Sequence, residues 1–530
     1  MLDLDALQGT SRLEGEVCVI GAGAAGISLT RRLLASGRQV ILLESGGLDY
    51  EKPIADLAVG QNVGEDYYRL EDSRLRFFGG TTAIWGGRCA ELDPIDLEKR
   101  DYVPHSGWPI GWDELERYYR EARPLFGLPE ERPTLEAFRR AGVPLPDFDT
   151  EELATPLWTF DHRFNRFTFD ACEDLRADPK CRIVTHATVT EIKAAESGRG
   201  IKSVEARSLG GARLSVAAKV YVLATGGIEN ARLLLASRSV MPMGLGNPHD
   251  QVGRYFMEHP HARGGGIVGG AAWRLLKAFG RRHRVAGRDM AALIVPSPAL
   301  QRREGILNTS LTIVARQPEG ARQFLGMRAY SGLKHNMAPT KGGRALWMTT
   351  KKAASWAQRH IDPARPWLLH KLGNLDIALL VRGEQAPNPD STVTLTGETD
   401  ATGMPRVALD WRLSDIDIRS VSVLVDALGH ELKRLGLGTV EKAKWMDEGQ
   451  WKADPLISSH PIGGYHHMGT TRMGSNARTS VTDSDGRVHG IANLYVAGSS
   501  LFPTGSWANP TLTLVALALR AADGITGELV

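Results

Sequence analysis

The chain has 530 residues, a formal net charge of +3, 42% hydrophobic and 24% charged residues. A charge this close to balance, with no block of like charges, gives no reason to expect nucleic acid as a partner, and the length exceeds one ordinary domain, so two intimately connected domains are expected. The four cysteines, Cys18, Cys89, Cys172 and Cys181, form no Cys-x-x-Cys pair, so neither disulfides nor a structural metal are demanded.

Residues 1–14 lack the basic-then-apolar pattern of a signal peptide, which sets the expectation of a cytoplasmic protein. The Val17–Ile20 run is too short to span a bilayer and no transmembrane segment is expected. The first elements read β-α-β. Val17–Ile20 is a short buried strand, Gly21-Ala22-Gly23-Ala24-Ala25-Gly26 makes a turn, and Ala25 to Ser36 carries helix formers with Ile27, Leu29, Leu33 and Leu34 available to pack. Gly37 ends that helix. Gln39 to Leu43 is a second strand with Glu44 at its carboxyl end. In such a turn the first glycine permits the bend, the second lets a pyrophosphate come close, and the third lets the helix pack on the strand. Glu44 stands where a carboxylate accepts hydrogen bonds from an adenosine ribose. The pattern implies a dinucleotide and does not by itself separate NAD from FAD.

Residues 51–78 read as loop and short helix, and Phe77 to Arg88 as an aromatic, glycine-rich loop around Trp85. A helix is expected over 111–127, strands over Arg182–Val189 and Ser203–Ala206, and a strand Val220–Ala224 running into Thr225-Gly226-Gly227. The runs at Val393-Thr394-Leu395 and Val407-Ala408-Leu409 flank a turn at Thr402-Gly403. Ser414 caps a helix with Val421, Leu424, Val425, Leu428 and Leu432 on one face. Residues 340–372 combine Lys341, Arg344, Lys351, Lys352, Arg359 and Lys371 with Trp347, Trp356 and Trp367. A basic solvent face over a packed helix is the plainer reading; an amphipathic membrane-surface or partner segment is the alternative. Near the C-terminus come Gly464-Tyr465-His466-His467-Met468-Gly469-Thr470-Thr471-Arg472-Met473-Gly474, then Asn493 to Ser499, then Trp507-Ala508-Asn509-Pro510-Thr511 leading into a helix at Leu512–Arg520.

Six blocks together carry a resemblance: Gly21–Gly26, Phe78 to Gly87, Leu223 to Arg232, Val252 to Pro260 and the two C-terminal blocks. With them the chain resembles the glucose–methanol–choline flavoprotein oxidoreductases. The resemblance implies an α/β fold: a Rossmann-like FAD-binding domain with an inserted α+β substrate domain built on a large sheet. The expected division assigns 1–95, 181–262 and 456–530 to the FAD-binding domain and 96–180 and 263–455 to the substrate domain. The FAD contacts it implies are Gly21, Gly23, Ala24, Ala25, Gly26, Glu44 and Ser45 at the start, then Gly79, Gly80, Thr81, Thr82, Trp85, Gly86 and Gly87. Val189, Ala224, Thr225, Gly226 and Asn230 follow from the middle, and Gly498, Ser499, Asn509, Pro510 and Thr511 from the end.

Oxidising an alcohol moves a hydride from carbon to flavin N5 while the hydroxyl proton leaves to a base. The resembling family places the base three residues before the glycine of a His-x-x-Gly unit, here His466, and a polar partner at Asn509. His467 is the rival base, since neighbours in an extended segment point opposite ways. An adjacent histidine pair without a carboxylate or cysteine cluster is poor metal-ligand spacing, so no metal is expected. His259 and His261 are candidates to approach the site, and His335 to line a substrate pocket. Some pyranose oxidases attach flavin through a histidine just before the tryptophan of the glycine-rich loop. Here Ile84 stands before Trp85, so FAD is expected to be non-covalent. The blocks are most similar to pyranose oxidases and bacterial glycoside 3-oxidases or 3-dehydrogenases, which implies oxidation of a secondary hydroxyl of a sugar or glycoside to a keto-sugar. A lipid, aromatic or terpenoid alcohol is the alternative substrate, and a flavoprotein scaffold or electron-transfer subunit the alternative class. The expected electron acceptor is O2 or a quinone, dye or redox protein. A small accessory subunit, with periplasmic export alongside it, is the further expectation for partners.

Overall fold

The computed structural model describes every residue except His162, Phe164, residues 325–338 and Val530. Its organising element is an eight-stranded sheet, in the spatial order Leu2–Asp3, Cys181–Thr185, Val40–Leu43, Thr10–Ile20, Arg213–Leu223, Ile201–Arg207, Thr188–Ala194, with Leu494–Val496 beside the end of Arg213–Leu223. The strands from Leu2–Asp3 to Arg213–Leu223 run parallel, and the last three form an antiparallel meander. Val17–Ile20 and Val40–Leu43 are continuous apolar runs because parallel strands are covered on both faces. The helices Ala24–Ala35 and Thr511–Glu528, from opposite ends of the chain, pack against each other beside this sheet.

Several elements differ from their sequence outlines for visible reasons. The first large strand begins at Thr10 rather than Val17. Its outer half alternates exposed and half-buried residues and pairs with Arg213–Ala218, so it has no apolar run to announce it. The expected strand Arg182–Val189 is two strands, Cys181–Thr185 and Thr188–Ala194. His186 breaks it at φ +51°, held by Asp3 Oδ1 at 2.7 Å and Glu51 Oε1 at 2.9 Å. The C-terminal helix continues past Arg520 to Glu528. Ser414 does cap a helix, Asp415–Arg434, through a capping box with Asp417.

A second sheet has the order Ser310–Arg316, Asp376–Arg382, His261–Val268, Thr439–Lys442, all antiparallel. The helix Asp415–Arg434 buries Val421, Leu424, Val425, Leu428 and Leu432 in the core under it. Two apolar cores result. One surrounds the large sheet and draws on both chain ends, the other surrounds the second sheet. The 96–180 segment contributes to both, through Leu115, Tyr119 and Phe126 in the first and Phe138 and Leu153 in the second.

Residues 340–372 form the helices Lys341–His360 and Ala364–Lys371. Trp347 is buried and Trp367 packs edge-on against Trp273 at 5.6 Å, whereas Trp356 is 54% exposed. The longer helix lies over the glycine-rich loop, where Lys351 Nζ donates to the Trp85 carbonyl. Burial, together with Arg88 and Arg282, pushes that lysine down to about 7. No described helix is long and apolar enough to cross a membrane.

Candidate active site

The strand–turn–helix at the N-terminus opens one wall of a groove. Gly21 sits at φ +105°, and a Cβ there would stand 2.6 Å from the Ala224 carbonyl oxygen. At Gly26 a Cβ would stand 2.0 Å from the Gly21 carbonyl oxygen, so only glycine lets the helix close on the strand. At Gly23, by contrast, a Cβ would meet nothing within 4 Å: this backbone faces open space at the helix N-terminus. That is the condition a diphosphate requires of its cradle. Lining the same groove are Gly21, Ala24, Ala25, Glu44, Ser45, Gly79, Gly80, Thr81, Thr82, Val189, Ala224, Thr225, Gly226, Gly498 and Ser499. The buried Glu44 carboxylate accepts from the backbone N–H of Ala22 (2.9 Å) and Gly46 (3.0 Å), so in this state it also pins the turn. Arg74 and Arg76 face the groove too, and Glu229 holds them at 2.8 and 3.1 Å.

Three expected contact residues stand behind the groove. Gly26 packs the helix. Gly87 accepts a hydrogen bond from Asp161 N through its carbonyl at 2.8 Å. The fully buried Asn230 accepts from Thr225 N and Oγ1 and donates to Ser500 Oγ at 2.9 Å, tying two strand ends together.

The groove opens into a larger cavity of about 760 Å³, and Leu75, Thr81, Thr82, Tyr465, His467, Ser499 and Leu514 line both. Trp85, Gly86, Asn509, Pro510 and Thr511 lie on the wall of the larger one. So do His259, His261, His466 and His467. His335 lies outside the described residues.

The geometry around His466 comes from two short antiparallel stretches. Met257 pairs with Met468 and Pro260 with Gly463, which sets Glu258 and His259 beside His466. Glu258 is 0% exposed and acts as an anchor. Its oxygens accept from the backbone N–H of His259 (2.7 Å), Gly464 (3.1 Å) and His466 (2.9 Å), and from the Tyr67 hydroxyl at 2.5 Å. Burial pushes this carboxyl up, against the pull of those donors. A Cβ on Gly464 would stand 2.5 Å from the His466 ring, so glycine there makes room for it.

A chain of ring contacts then sets the tautomers. His259 Nε2 lies 3.2 Å from the Gly505 carbonyl oxygen, which can only accept, so this nitrogen carries the proton. His259 Nδ1 is therefore bare and accepts from His466 Nδ1–H at 2.7 Å. That leaves the lone pair of His466 on Nε2, 3.1 Å from Asn509 Nδ2. Burial, then the neighbouring His259, His261, His467 and Arg88, holds the His466 imidazole well below its usual range and therefore neutral. The His467 ring is engaged by a different partner. Its Nε2 meets the Tyr67 hydroxyl at 3.1 Å, and burial pushes it down to about 3.

Asn509 is placed with equal care. The preceding loop is fixed by Ser506 Oγ donating to Asp96 Oδ2 (2.6 Å), Ser506 N to Glu384 Oε1 (3.1 Å) and Trp507 Nε1 to Asp93 Oδ2 (2.7 Å). Glu384 is in turn paired with the buried Arg100 at 2.9 Å. Tyr67 and Glu258 were not singled out by sequence reasoning. Tyr67 sits in a polar stretch with no motif, and Glu258 lies inside a quoted block whose role was not legible. Among the described residues no group of histidine, cysteine and carboxylate side chains could hold a metal ion.

Comparison with known proteins finds matches at both ends of the chain. Residues 387–518 match the GMC oxidoreductase family and residues 16–252 match the FAD dependent oxidoreductase family. The chain is 25% identical to a 2-methyl-1,2-propanediol dehydrogenase of Mycolicibacterium austroafricanum, over 98% of this chain and 96% of that one. It is 34% identical to a C-glycoside 3-oxidase of Microbacterium trichothecenolyticum, over 32% of this chain and 29% of the relative. The fold is shared with the pyridoxine 4-oxidase structure from Mesorbium loti, at TM-score 0.54, 15% identity, and coverage of 96% and 99%. With an FAD dependent oxidoreductase domain matched at one end, a GMC oxidoreductase domain matched at the other and a continuous groove lined by both, the chain is an FAD-dependent alcohol oxidoreductase.

Proposed function

We propose that this protein oxidises a secondary alcohol of a sugar or glycoside to a ketone, with His466 as general base and Asn509 as its partner on the same oxygen. The carrying observation is the pair itself: the unprotonated His466 Nε2 accepts from the Asn509 amide at 3.1 Å on the wall of a large cavity. An alcohol oxygen that takes the place of this hydrogen bond, touching both groups from the cavity side, would give its proton to Nε2 and accept from Asn509 Nδ2 as negative charge grows on it. Bound FAD supplies the hydride acceptor. The neutral state of His466 readies it to take a proton at neutral pH. Thr81, Thr82 and Ser499 stand where groove and cavity meet and would orient the cofactor's reactive end toward that pair.

The sugar assignment is supported by the C-glycoside oxidase relative and by a cavity of about 760 Å³ whose lining mixes aromatic and hydrogen-bonding side chains. A second reading, a small aliphatic diol, is favoured by the end-to-end match to the propanediol dehydrogenase. Anaerobic mixing of the purified, FAD-loaded protein with sugars, glycosides and simple diols decides between them. Loss of the visible flavin absorbance with a glycoside is the expected result. Bleaching by diols alone would discard the sugar, and no bleaching by any alcohol would leave a flavoprotein scaffold. Readmitting air then separates an oxidase from a dehydrogenase that needs a quinone, dye or protein acceptor.

The flavin is proposed to be held without a covalent link. Ile84 and Trp85 line the cavity, and no histidine occurs between Phe77 and Arg88. Acid precipitation is expected to release the flavin into a yellow supernatant; a yellow pellet over a colourless supernatant would mean a covalent bond.

A further inference from the structure

The alcohol-binding cavity also holds cations that the alcohol chemistry does not call for. Arg382 ends the strand Asp376–Arg382, where the register sets it opposite His261 on one side and Ser310 on the other. Arg88 comes from the short strand Arg88–Cys89, paired with Leu157–Phe160. Trp158 lies on that partner strand. The Arg88 and Arg382 guanidinium carbons stand 5.1 and 4.8 Å from its ring centroid. Both arginines line the cavity that holds His466 and Asn509. Among the described residues Arg382 forms no ion pair, and of its guanidinium nitrogens only Nη1 has a hydrogen-bond partner, Thr312 Oγ1 at 3.2 Å.

A guanidinium stays charged in proteins, and holding one out of water beside another cation costs free energy unless an anion arrives. Burial, then Arg88 and Arg316, accordingly push Arg382 well below its usual range. The carboxylates on the cavity wall, Glu71 and Asp72, are already engaged by Arg69. A neutral sugar offers the Arg382 fork no charge to match. A carboxylate or phosphate oxygen pair matches them bidentately.

We propose that Arg382 and Arg88 form an anion-binding subsite of the substrate cavity, and that the alcohol oxidised here carries an anionic oxygen group, as a sugar acid or a sugar phosphate does. This rests on the alcohol-oxidation reading of the His466–Asn509 pair and adds the substrate's charge to it. The anion is seated at the Arg382 and Arg88 guanidinium groups while the carbinol reaches His466, so the two contacts fix the molecule at both ends.

The test uses the FAD-loaded protein with methyl β-D-glucopyranoside, its 6-carboxylate and its 6-phosphate. Anaerobic flavin reduction gives kcat/KM for each, and calorimetry on the oxidised protein gives Kd without turnover. One or both anionic sugars are expected to bind at least about 30-fold tighter than the neutral glycoside, the scale of a charge-assisted hydrogen bond. Which anion is preferred tells acid from phosphate. In Arg382→Gln the anionic-to-neutral ratio is expected to collapse toward one, and Arg382→Lys should restore part of it. Arg88→Gln should lower the same ratio, which keeps the test open if the Arg382 variants do not fold. Equal affinity for charged and neutral sugars, or an equal loss for both in the arginine variants, overturns the proposal. Arginine-dependent anion binding without any flavin reduction would keep the subsite and overturn the alcohol-oxidation reading. Reduction by the neutral glycoside alone would do the reverse.

Discussion

Replacing His466 with alanine is expected to leave FAD bound and the protein folded while slowing anaerobic flavin reduction by about 10²- to 10⁴-fold, the usual contribution of a positioned base. Among the described residues the ring meets His259, Asn509, the Glu258 carboxylate at 3.9 Å and the cavity, and it belongs to neither apolar core. His467→Ala is expected to act differently. That ring packs against Tyr67 and Phe256 and hydrogen-bonds the Tyr67 hydroxyl, so its loss should lower stability more than it lowers the chemical step. The wild-type pH profile carries the same assignment. A base held well below its ordinary value loses activity only when pH falls through that lowered value, so reduction should stay level from about pH 8 down past the ordinary histidine pKa of about 6.5. Near-normal reduction in His466→Ala would move the base elsewhere, and a rate that halves near pH 6.5 would mean that the imidazole is not shielded as described.

Removing the Glu258 carboxylate should be as damaging for a different reason. Glu258→Ala is expected to destabilise the fold by about 3 kcal/mol or more, seen as a lower denaturant midpoint, and to depress kcat in whatever protein remains folded. One fully buried side chain satisfies three backbone N–H groups and a tyrosine hydroxyl. Without it those donors are stranded in a place water does not reach. Because two of them belong to His259 and His466, the same loss frees the ring pair from its register. Glu258→Gln keeps the shape but turns an amide donor toward other donors, so it should rescue little. Tyr67→Phe removes a single donor and should cost less than either. A Glu258→Ala protein as stable as wild type would mean that the backbone finds other partners and that the carboxylate is not the anchor.

Legibility in the sequence followed the range of the forces involved. The turn at Gly21, Gly23 and Gly26 is a local steric device, and it stands where the spacing put it, with Glu44 at the neighbouring strand end. The C-terminal residues His466 and Asn509 were named from motif register, and the structure brings them to 3.1 Å although they lie 43 positions apart. What could not be read was whatever depends on partners distant in sequence. Tyr67 meets Glu258 across 191 positions, and nothing within residues 51–78 announces it. Arg382 looks like an ordinary strand end until the sheet register places it opposite His261. The break at His186 was hidden for the same reason, because its two carboxylate partners come from the N-terminal strand and from Glu51. The outer half of Thr10–Ile20 was missed because a strand whose alternate residues face solvent carries no continuous apolar run.

The hydrogen-bonded line from Asn509 through His466 and His259 ends at the Gly505 carbonyl, and a carbonyl cannot hand a proton onward. The line therefore orients without conducting. With His466 as the proposed base, a proton captured at Nε2 finds no onward acceptor along this line among the described residues and leaves on the cavity side. On that assignment, whatever fills the cavity beside His466 also governs how soon the imidazole sheds its proton.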